Sequence, residues 1–292
     1  SHLFRCGVLS FTTEVRGRVG AFCVSKKPKM VDGKLVPRQR LVLDCRSVNL
    51  QFRDPPRTEL GSLSSLADTT LPEGETLYIA TADICDCFYA CDCPPGLEQY
   101  FCLCGDITAD EARRVANGCW DGDFSVSSTW SPCFKVLPMG FNWSFYLVQA
   151  LHEQAAMDAL GVSRDAVFLD GHPSPVLSKG SATTMPYCDN VHVLSLSPDI
   201  CQTGKEAVCE KLEHMGFVLH EHTSASSYTQ TLGGIVDGDI GHIRCSERRI
   251  WSLIFAFEYA ATHKISTELM QRLLGHAMVV CTINRCGMAI FR

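Results

Sequence analysis

The segment from Thr81 to Gly96, TADICDCFYACDCPPG, concentrates side chains that could bind a metal ion. Its candidate ligands are four cysteines and three aspartates: Cys85, Cys87, Cys91 and Cys93, and Asp83, Asp86 and Asp92. Thiolates would favour zinc, whereas a carboxylate at the end of a strand would favour magnesium beside substrate phosphates. The two possibilities describe different proteins, and the surrounding sequence has to decide between them.

The spacing of these cysteines fits a structural zinc site poorly. Such sites usually place ligands as Cys-x2–4-Cys, with a second pair further along the chain. The segment reads Cys-x-Cys-x3-Cys-x-Cys without a neighbouring histidine, and Cys102 and Cys104 add ligands only in principle. We expect small packing residues here and keep a cysteine-rich metal-binding module as a further hypothesis. Surface or core positions, rather than metal ligation, are expected for His214, His220, His222, His242 and His276.

Two aspartates stand where a metal site would need them. Asp83 ends an apolar segment, TLYIATAD, that predicts a buried strand over Thr76–Asp83. Asp189 lies at the predicted Asp189-Asn190 turn of a hairpin over Thr184–Leu196. An ionised acid at the end of a buried strand is costly unless it is paired or binds a metal. Two such acids on adjacent strands would suit two-metal phosphoryl transfer, although this spacing alone is also typical of caps and turns.

A basic region precedes these acids. The window from Lys26 to Arg57 holds nine basic residues against three acidic ones, although the chain carries a net charge of −6. Apolar runs at Ala21–Ser25 and Arg40–Leu43 flank KKPKMVDGKLVPRQ, whose proline and Asp-Gly turn signals predict a β-hairpin with a basic tip. Such a patch is compatible with a phosphate-binding surface and equally with a solvated charged hairpin.

Periodicity and turn signals predict the remaining elements. Helices are expected over Thr108–Val115 with a Thr108/Glu111 capping box, Gly140–Leu160, Lys205–Met215, Ser246–Thr262 and Thr267–Val280. Strands are expected over Tyr100–Cys104, Thr129–Leu137, Phe217–Leu219 and Thr231–Val236. Gln51–Gly74 predicts a loop with room for a short helix, and Gly161–Ser181 an irregular insertion.

Composition bounds the class of protein. The 292 residues are 46% hydrophobic and 20% charged, which is globular composition able to bury a sizeable core. No apolar run reaches the roughly 18 residues of a membrane helix, and no signal peptide is visible. Because the 17 cysteines are odd in number, we expect reduced thiols in an intracellular protein, cytoplasmic or nuclear, neither secreted nor membrane-bound. The first residue is Ser1, so we also expect a fragment of a longer product.

Six motifs, taken in order, resemble those of the reverse transcriptases of retroelements. They are RLVLDCRSVN (fingers), TADICDCFYACDCP (first palm motif), LPMGFNWSFYLVQ (Leu-Pro-x-Gly and its helix), YCDN (the Tyr-x-Asp-Asp hairpin), HMGFVL (the next palm element) and TLGGIV (primer grip). LMQRLLGHAMVVCTINR is similar to the helical stretch that follows the palm in retrotransposon polyproteins. The resemblance runs from about Ala21 to the C-terminus.

The resemblance implies a metal site. Asp83 would bind both Mg²⁺ (or Mn²⁺) ions, assisted by the backbone carbonyl of Ile84. Asp189 would be the second acidic ligand, with Asn190 beside it in the catalytic hairpin.

The resemblance also implies a nucleotide site. Phe88 would be the aromatic steric gate that selects deoxynucleotides. Arg40 and one of Lys26 or Lys27 would hold the incoming dNTP. Met139 and Gly140 match the segment that packs against that nucleotide, and Gln149 matches the polar nucleotide-site residue on the helix behind it.

The fold that the resemblance implies is α/β (α+β), a right-hand polymerase whose antiparallel palm sheet is backed by helices. Its expected parts are fingers over 1–75 and 94–136, palm over 76–93 and 137–238, and a thumb- or connection-like helical segment over 239–292. The implied activity is RNA-directed DNA polymerase, with a template-primer of RNA or DNA and dNTPs as partners. The sequence carries no signal for an oligomeric state.

Two departures from the pattern support an alternative. Asn190 replaces the second aspartate of the hairpin, which removes one negative charge beside two dications. The stretch HEHTSASSYTQ lacks the family's lysine; His220 or His222 could take its place, but a neutral imidazole is a weaker proton donor. The alternative hypothesis is therefore a catalytically inactive, reverse-transcriptase-like relic that binds nucleic acid.

Overall fold

The structure is a computed structural model that describes residues 2–31 and 33–283. The side chain of Lys27, one of the predicted nucleotide-binding residues, lies outside the described part, as do the side chains of Lys29 and Val31. The end of the predicted helical segment, residues 284–292, also lies outside it.

The strands range from two to fourteen residues. Their bounds are β1 Leu9–Thr12, β2 Arg18–Val31, β3 Lys34–Asp44, β4 Tyr78–Ile84, β5 Cys102–Leu103, β6 Ile107–Thr108, β7 Thr129–Phe134, β8 Thr183–Thr184, β9 Asn190–Ser195, β10 Leu219–Ser226, β11 Tyr228–Thr231, β12 Gly234–Asp237 and β13 His242–Cys245.

The helices include three long ones in the C-terminal half of the chain and one that begins at Asn142. Their bounds are α1 His2–Arg5, α2 Arg46–Asn49, α3 Leu63–Ala67, α4 Ala109–Ala116, α5 Asn142–Leu160, α6 Pro198–His214, α7 Glu247–Thr262 and α8 Thr267–Ile283. Short 3-10 turns occur at Cys87–Ala90, Leu97–Tyr100 and Arg164–Ala166.

The first compact unit comprises Ser1–Thr58 and Asp86–Val148. Its sheet has the order β1-β7-β5-β2-β3, with β6 paired to β7, and β5 runs parallel to β2 but antiparallel to β7. Aromatic and aliphatic side chains such as Phe101 and Phe134 form the core on this sheet. The described side chains of the β2–β3 hairpin from Ala21 to Arg40 are exposed, apart from half-buried Lys26. This part of the hairpin is therefore a ribbon held by backbone hydrogen bonds, not by a core.

The second unit comprises Glu59–Cys85 and Gln149–Arg292. An antiparallel four-stranded sheet has the order β10-β4-β9-β8, and α6 packs against β9, β4 and β10. A second sheet has the order β11-β12-β13. Helices α7 and α8 contact each other, and α8 also contacts α3 and β13. The helix α5 belongs to the first unit up to Val148 and to the second from Gln149 onwards.

Several sequence predictions are confirmed at the level of elements. The predicted basic hairpin is formed by β2 and β3, and both strands are longer than the apolar runs Ala21–Ser25 and Arg40–Leu43 from which it was predicted. The predicted helix over Gly140–Leu160 is α5. The predicted capping box is present at the start of α4, where the Thr108 side chain accepts from the Glu111 backbone N–H and the Glu111 side chain accepts from the Thr108 backbone N–H. The antiparallel sheet backed by a helix is present in the second unit.

Three boundaries were wrong for identifiable reasons. The helix α6 begins at Pro198, not Lys205, because Ser197 caps it and a proline is favoured in a first turn, where its missing N–H costs nothing. The strand β10 continues to Ser226 although its segment is polar, because it is an exposed edge strand without an apolar alternation. The single strand expected over Thr231–Val236 is split into β11 and β12 by a turn at Leu232 and Gly233, which both have positive φ.

No helix among the described residues is both long enough and apolar enough to cross a membrane.

Replacing Gly140 by alanine should destabilise the first unit by about 3–5 kcal/mol. Gly140 has φ 118°, and a β-carbon there would lie 2.4 Å from the Leu43 carbonyl oxygen. Chemical denaturation measures the loss. Gly118→Ala is the matched control, because Gly118 also has positive φ (76°) but a β-carbon there would meet no atom within 4 Å, so it should cost only about 1–2 kcal/mol. Equal losses for the two variants would contradict the close approach at Gly140.

Candidate active site

The alternation of side chains along β4 separates a buried face from a more exposed face that carries the candidate metal ligand Asp83. Ala80 and Ala82 are almost fully buried, and α6 packs against the strand. Their small side chains permit this close approach, which Cys201 of α6 reinforces by donating to the carbonyl oxygens of Tyr78 and Val193. Because successive residues of a strand point to opposite faces, Thr81 and Asp83 lie on the face away from α6.

Asp83 is the centre of a row of three polar residues on adjacent strands. In the antiparallel register it pairs with Asn190 of β9 on one side and with His220 of β10 on the other. Directly opposed residues share a face of the sheet, so the three side chains are neighbours. His220 Nε2 lies 3.0 Å from Asp83 Oδ2, and the Asp83 side chain keeps 26% of its exposure.

Asp189 is placed by a two-residue turn that closes the hairpin between β8 and β9. Tyr187 and Asn190 exchange backbone hydrogen bonds across the turn, and Cys188 in its first position has φ 53°. The Ile84 N–H donates to the Asp189 carbonyl oxygen at 2.7 Å, which brings this residue to the end of β4. The Asn190 amide donates to Asp189 Oδ1 at 2.9 Å. The two acids that the sequence singled out are thus brought to the same end of the sheet.

The helix α5 holds the hairpin from behind. The Gln149 amide donates to the Pro186 carbonyl oxygen at 3.0 Å and accepts from the Cys188 N–H at 2.7 Å. His152 Nδ1 lies 2.8 Å from the Cys188 carbonyl oxygen. Both side chains are buried, so both backbone polar groups of Cys188 are paired by this helix. The resemblance assigns Gln149 to the nucleotide; the contacts seen here are with the hairpin, and its role toward a nucleotide stays a prediction.

Two buried histidines flank the hairpin in neutral form. Burial lowers the pKa of His152 to about 4 and that of His192 to about 4. His192 Nδ1 lies 3.0 Å from the Met185 carbonyl oxygen, and its Nε2 faces the hydroxyl of Thr231 in β11. Because a carbonyl can only accept, Nδ1 carries the proton in both rings, and Nε2 is the acceptor. For His152 that Nε2 has no hydrogen-bond partner within the described residues.

The donor set at this end of the sheet fits a magnesium ion that is completed by substrate. Mg²⁺ in nucleotide enzymes takes one or two carboxylates and several oxygens from phosphates or water. Asp83 and Asp189 supply two carboxylates, and Asp83 and Asn190 line an open cavity of about 620 Å³. Among the described residues, this end of the sheet included, no group of three or more His, Cys, Asp or Glu side chains is placed to hold a metal by itself.

The cysteines beside Asp83 are placed as packing residues. Cys87 in the 3-10 turn and Cys91 directly after it are buried, and burial raises the pKa of Cys93 to about 12. A thiol with so high a pKa is a poor metal ligand, because metal binding requires the thiolate. The arrangement gives no support to the cysteine-rich metal module.

All the predicted nucleotide-binding residues except Gln149 lie in the first unit, and Arg40, Phe88, Met139 and Gly140 belong to the segments around the end of β3. Tyr89 donates from its hydroxyl to the Leu41 carbonyl, which ties the turn that carries Phe88 to the strand that carries Arg40. Two residues further along, the Leu43 N–H donates to the Met139 carbonyl oxygen at 3.3 Å. The first unit therefore brings Arg40, Phe88 and Met139 to one region. Lys26 lies on β2 opposite Arg38, on the exposed ribbon.

Asn49 links α2 to the segment around Gly140, although no separate role was predicted for it. Its amide donates to the Gly140 carbonyl oxygen at 2.9 Å and accepts from the Asn142 N–H at 3.1 Å. It thereby fixes the Leu-Pro-x-Gly loop and the start of α5.

Three functional contacts were not foreseen: those of Asn49, His152 and His220. His152 carried a usable signal, because it follows Gln149 by three residues on the apolar face of a predicted helix, where polar side chains need partners. For His220 the sequence offered only its candidacy for the lysine's place, because its strand shows no alternation that would have placed it beside Asp83.

Comparison with known proteins identifies the fold. No family model matches the sequence, and no curated protein matches it significantly. Among solved structures it is similar to the foamy viral protease-reverse transcriptase dRH in complex with ds DNA, with TM-score 0.58 and 17% identity over 94% of this chain and 38% of that one. A second structure, the foamy viral protease-reverse transcriptase in complex with dsDNA, gives TM-score 0.56 and 17% identity over 94% and 44%.

These neighbours share the fold with this chain. The α/β right-hand polymerase fold predicted from the sequence is therefore confirmed, at an identity that shows the fold alone. The chain spans less than half the length of either neighbour. The bounds assigned to fingers, palm and thumb stay predictions.

Replacing His152 by asparagine should reduce the loss of stability on acidification. In the unfolded chain the imidazole takes a proton below its ordinary pKa near 6.5, whereas in the folded chain it stays neutral down to about 4. Acidification through that window therefore favours unfolding, by up to about 2 kcal/mol between pH 7 and pH 5. Asparagine keeps a donor near the Nδ1 position but does not titrate.

The measurement is the free energy of unfolding at pH 7 and pH 5, from urea denaturation. The quantity compared is the difference between the two pH values, because the variant also loses ring volume at both. His276→Asn, at an exposed position of α8, is the control for the removal of one imidazole. An unchanged pH dependence in His152→Asn would show that the buried ring is not neutral.

Proposed function

We propose that this chain is an RNA-directed DNA polymerase that adds dNTPs to a primer 3′-OH on a template-primer. One observation carries the proposal: Asp83 and Asp189 lie at the same end of an antiparallel sheet, where Asp83 lines an open cavity, on a fold similar to that of reverse transcriptases in complex with DNA. Two rigidly positioned carboxylates at a cleft are what two-metal phosphoryl transfer requires.

Asp83, Asp189 and the Ile84 carbonyl would hold Mg²⁺ or Mn²⁺. When bound, the ions would activate the primer hydroxyl and stabilise the charge that develops on the leaving pyrophosphate. The protein contributes rigidity: Asp83 is fixed by strand pairing on both sides, and Asp189 by the Ile84 N–H and by the hairpin that α5 holds. Positioning of this kind supplies most of the catalysis in phosphoryl transfer.

The first unit contributes all but one of the residues we assign to the nucleotide, since Gln149 belongs to the second unit. Arg40 and Lys26 carry positive charge on the ribbon, where charge-assisted hydrogen bonds to a triphosphate are the strongest kind available. Phe88 sits in a 3-10 turn anchored by its neighbour Tyr89, so its ring can act as a fixed steric gate. Lys27, Met139, Gly140 and Gln149 complete the proposed set.

His220 takes the place that the family gives to a lysine. Of the two histidines considered, His220 contacts Asp83, whereas His222 is exposed and lines the cavity. We assign to His220 the place of that lysine, beside Asp83.

The alternative is a catalytically inactive relic that binds nucleic acid. It is favoured by the Asn190 amide, which donates to Asp189 where a second acid would add negative charge for the metals. Binding of a template-primer without extension, in Mn²⁺ as well as Mg²⁺, would support it.

Asp83→Asn should abolish primer extension while leaving the fold intact. The change removes one charge from the metal site but keeps the size of the side chain, so we expect a loss of at least about 100-fold. The assay is extension of a DNA primer on an RNA template with dNTPs and Mg²⁺. Asp165→Asn, at an exposed carboxylate of the same unit, is the matched control. Extension by Asp83→Asn at the wild-type rate would refute the metal assignment, and a folded wild type that does not extend would refute the proposed activity.

Asn190→Asp should lower the Mg²⁺ concentration at which extension is half-maximal. The added carboxylate restores negative charge beside the cations, although the loss of the amide donor to Asp189 should cost about 1–2 kcal/mol of stability. A Mg²⁺ titration of the same assay measures the effect. Asn117→Asp, an exposed position, controls for the change in net charge. A higher Mg²⁺ requirement in Asn190→Asp would show that the neutral residue is part of the working site.

A further inference from the structure

Two buried cysteines face each other in the sheet of the first unit. Cys102 of β5 is paired directly with Cys133 of β7 in the antiparallel register. Both are thiols with no exposed surface. The proposed polymerase function uses neither of them.

The backbone geometry at this pair is the one that suits a disulfide. The Phe134 N–H donates to the Phe101 carbonyl oxygen, which makes Cys102 and Cys133 a non-hydrogen-bonded pair of the antiparallel ladder. The α-carbons of such a pair are about 4.5 Å apart, and their side chains are closer than in a hydrogen-bonded pair. Disulfides join α-carbons at roughly 4.4–6.8 Å. Opposed residues also share a face, so both sulfurs lie on the same side of the sheet.

The two thiols are electrostatically distinct. A hydrogen bond from Cys133 lowers the pKa of Cys102, and the nearby Arg18 guanidinium, which donates to the Leu103 carbonyl, lowers it further. The same hydrogen bond raises the pKa of Cys133. We assign Cys102 as the nucleophile because Arg18, its partner on the neighbouring strand β2, brings a guanidinium beside it, although the Cys102 thiol also donates to the Gln99 carbonyl oxygen at 3.3 Å.

We propose that Cys102 and Cys133 are a reversible redox pair that a peroxide oxidises to an intrachain disulfide. The Cys102 thiolate attacks one peroxide oxygen, so that an S–O bond forms, the O–O bond breaks, and the departing hydroxide takes a proton to become water. The Cys133 sulfur then attacks the sulfenic sulfur, the S–S bond forms, and the sulfenic oxygen leaves as a second water. Two thiols and one hydrogen peroxide give one disulfide and two waters, and a dithiol reductant reverses the change.

Because both sulfurs are buried, an oxidant reaches the pair only when strand β5 opens locally. It has only two residues and is followed by exposed Cys104 and by Gly105, which has φ 97°. A strand this short, held by a few backbone hydrogen bonds, opens locally at low cost. The same freedom lets the β-carbons approach the roughly 3.8 Å that a disulfide needs.

A disulfide here would tie the middle of the six-stranded sheet. The strand β5 lies between β7 and β2 in the strand order, so the bond would fix the connection between the hairpin β2–β3 and the strands β7 and β1. Cross-linking positions 102 and 133 also restricts the unfolded chain. We expect the melting temperature of the oxidised protein to rise by roughly 5–10 °C.

The test is peptide mapping of the full wild-type chain after hydrogen peroxide treatment and blocking of the remaining thiols with an alkylating reagent. The expected result is a peptide linking Cys102 to Cys133, lost on treatment with dithiothreitol, together with the rise in melting temperature. Oxidation of exposed Cys6, Cys23 or Cys104 without the Cys102–Cys133 link would overturn the proposal. So would a link between Cys87 and Cys91, another pair of neighbouring thiols in this unit, in place of it.

Cys133→Ala removes the resolving thiol and should leave Cys102 as a sulfenic acid that dimedone labels. The matched control is Cys201→Ala, which removes a buried thiol of α6 that donates to carbonyl oxygens. This variant should still form the Cys102–Cys133 disulfide and show the rise in melting temperature on oxidation. Failure of dimedone to label Cys102 in folded Cys133→Ala would show that Cys102 is not the nucleophile.

Discussion

The candidate site depends on the pairing of Cys188 by the helix α5. A residue with a β-carbon at φ 53° is strained by about 1–2 kcal/mol, and the turn persists only where its surroundings determine it. Gln149 and His152 do so by taking up both backbone polar groups of Cys188 in a buried environment, where an unpaired group would cost about 1–3 kcal/mol. The shape of the hairpin is therefore set by the helix behind it, and the position of Asp189 follows from that shape.

The second determinant is the register of the sheet. A slip of one residue would turn Asp83 toward α6 and bring an alanine to the open face, because side chains alternate along a strand. The buried alanines of β4 and the close packing of α6 exclude that slip. Packing on one face of β4 thus determines which side chains lie on the other face. The same register makes Asn190 and His220 the neighbours of Asp83.

The sequence predicted what depends on pattern and missed what depends on contacts between elements. The strand ending at Asp83, the hairpin at Asp189 and the helix α5 all followed from apolar spacing and turn residues. The position of His220 did not, because the edge strand β10 is polar and its register with β4 is irregular. The role of Asn49 also escaped, since its partners Gly140 and Asn142 lie about ninety positions away in the chain.

At Asn190 the requirements of hairpin stability and of the proposed catalysis differ. Two ionised acids in adjacent positions of a tight turn repel each other when no cation is bound. An asparagine removes that repulsion and adds a donor, and its amide reaches both Asp189 Oδ1 and, at 3.4 Å, the Tyr187 carbonyl oxygen. His220 does the same for Asp83 from the other side. Each acid therefore has a partner from the protein, so the hairpin keeps its shape without a cation, and a metal ion has to compete with these partners for the same oxygens. The residue that removes a negative charge from the proposed metal site is thus also one that stabilises the hairpin without a cation.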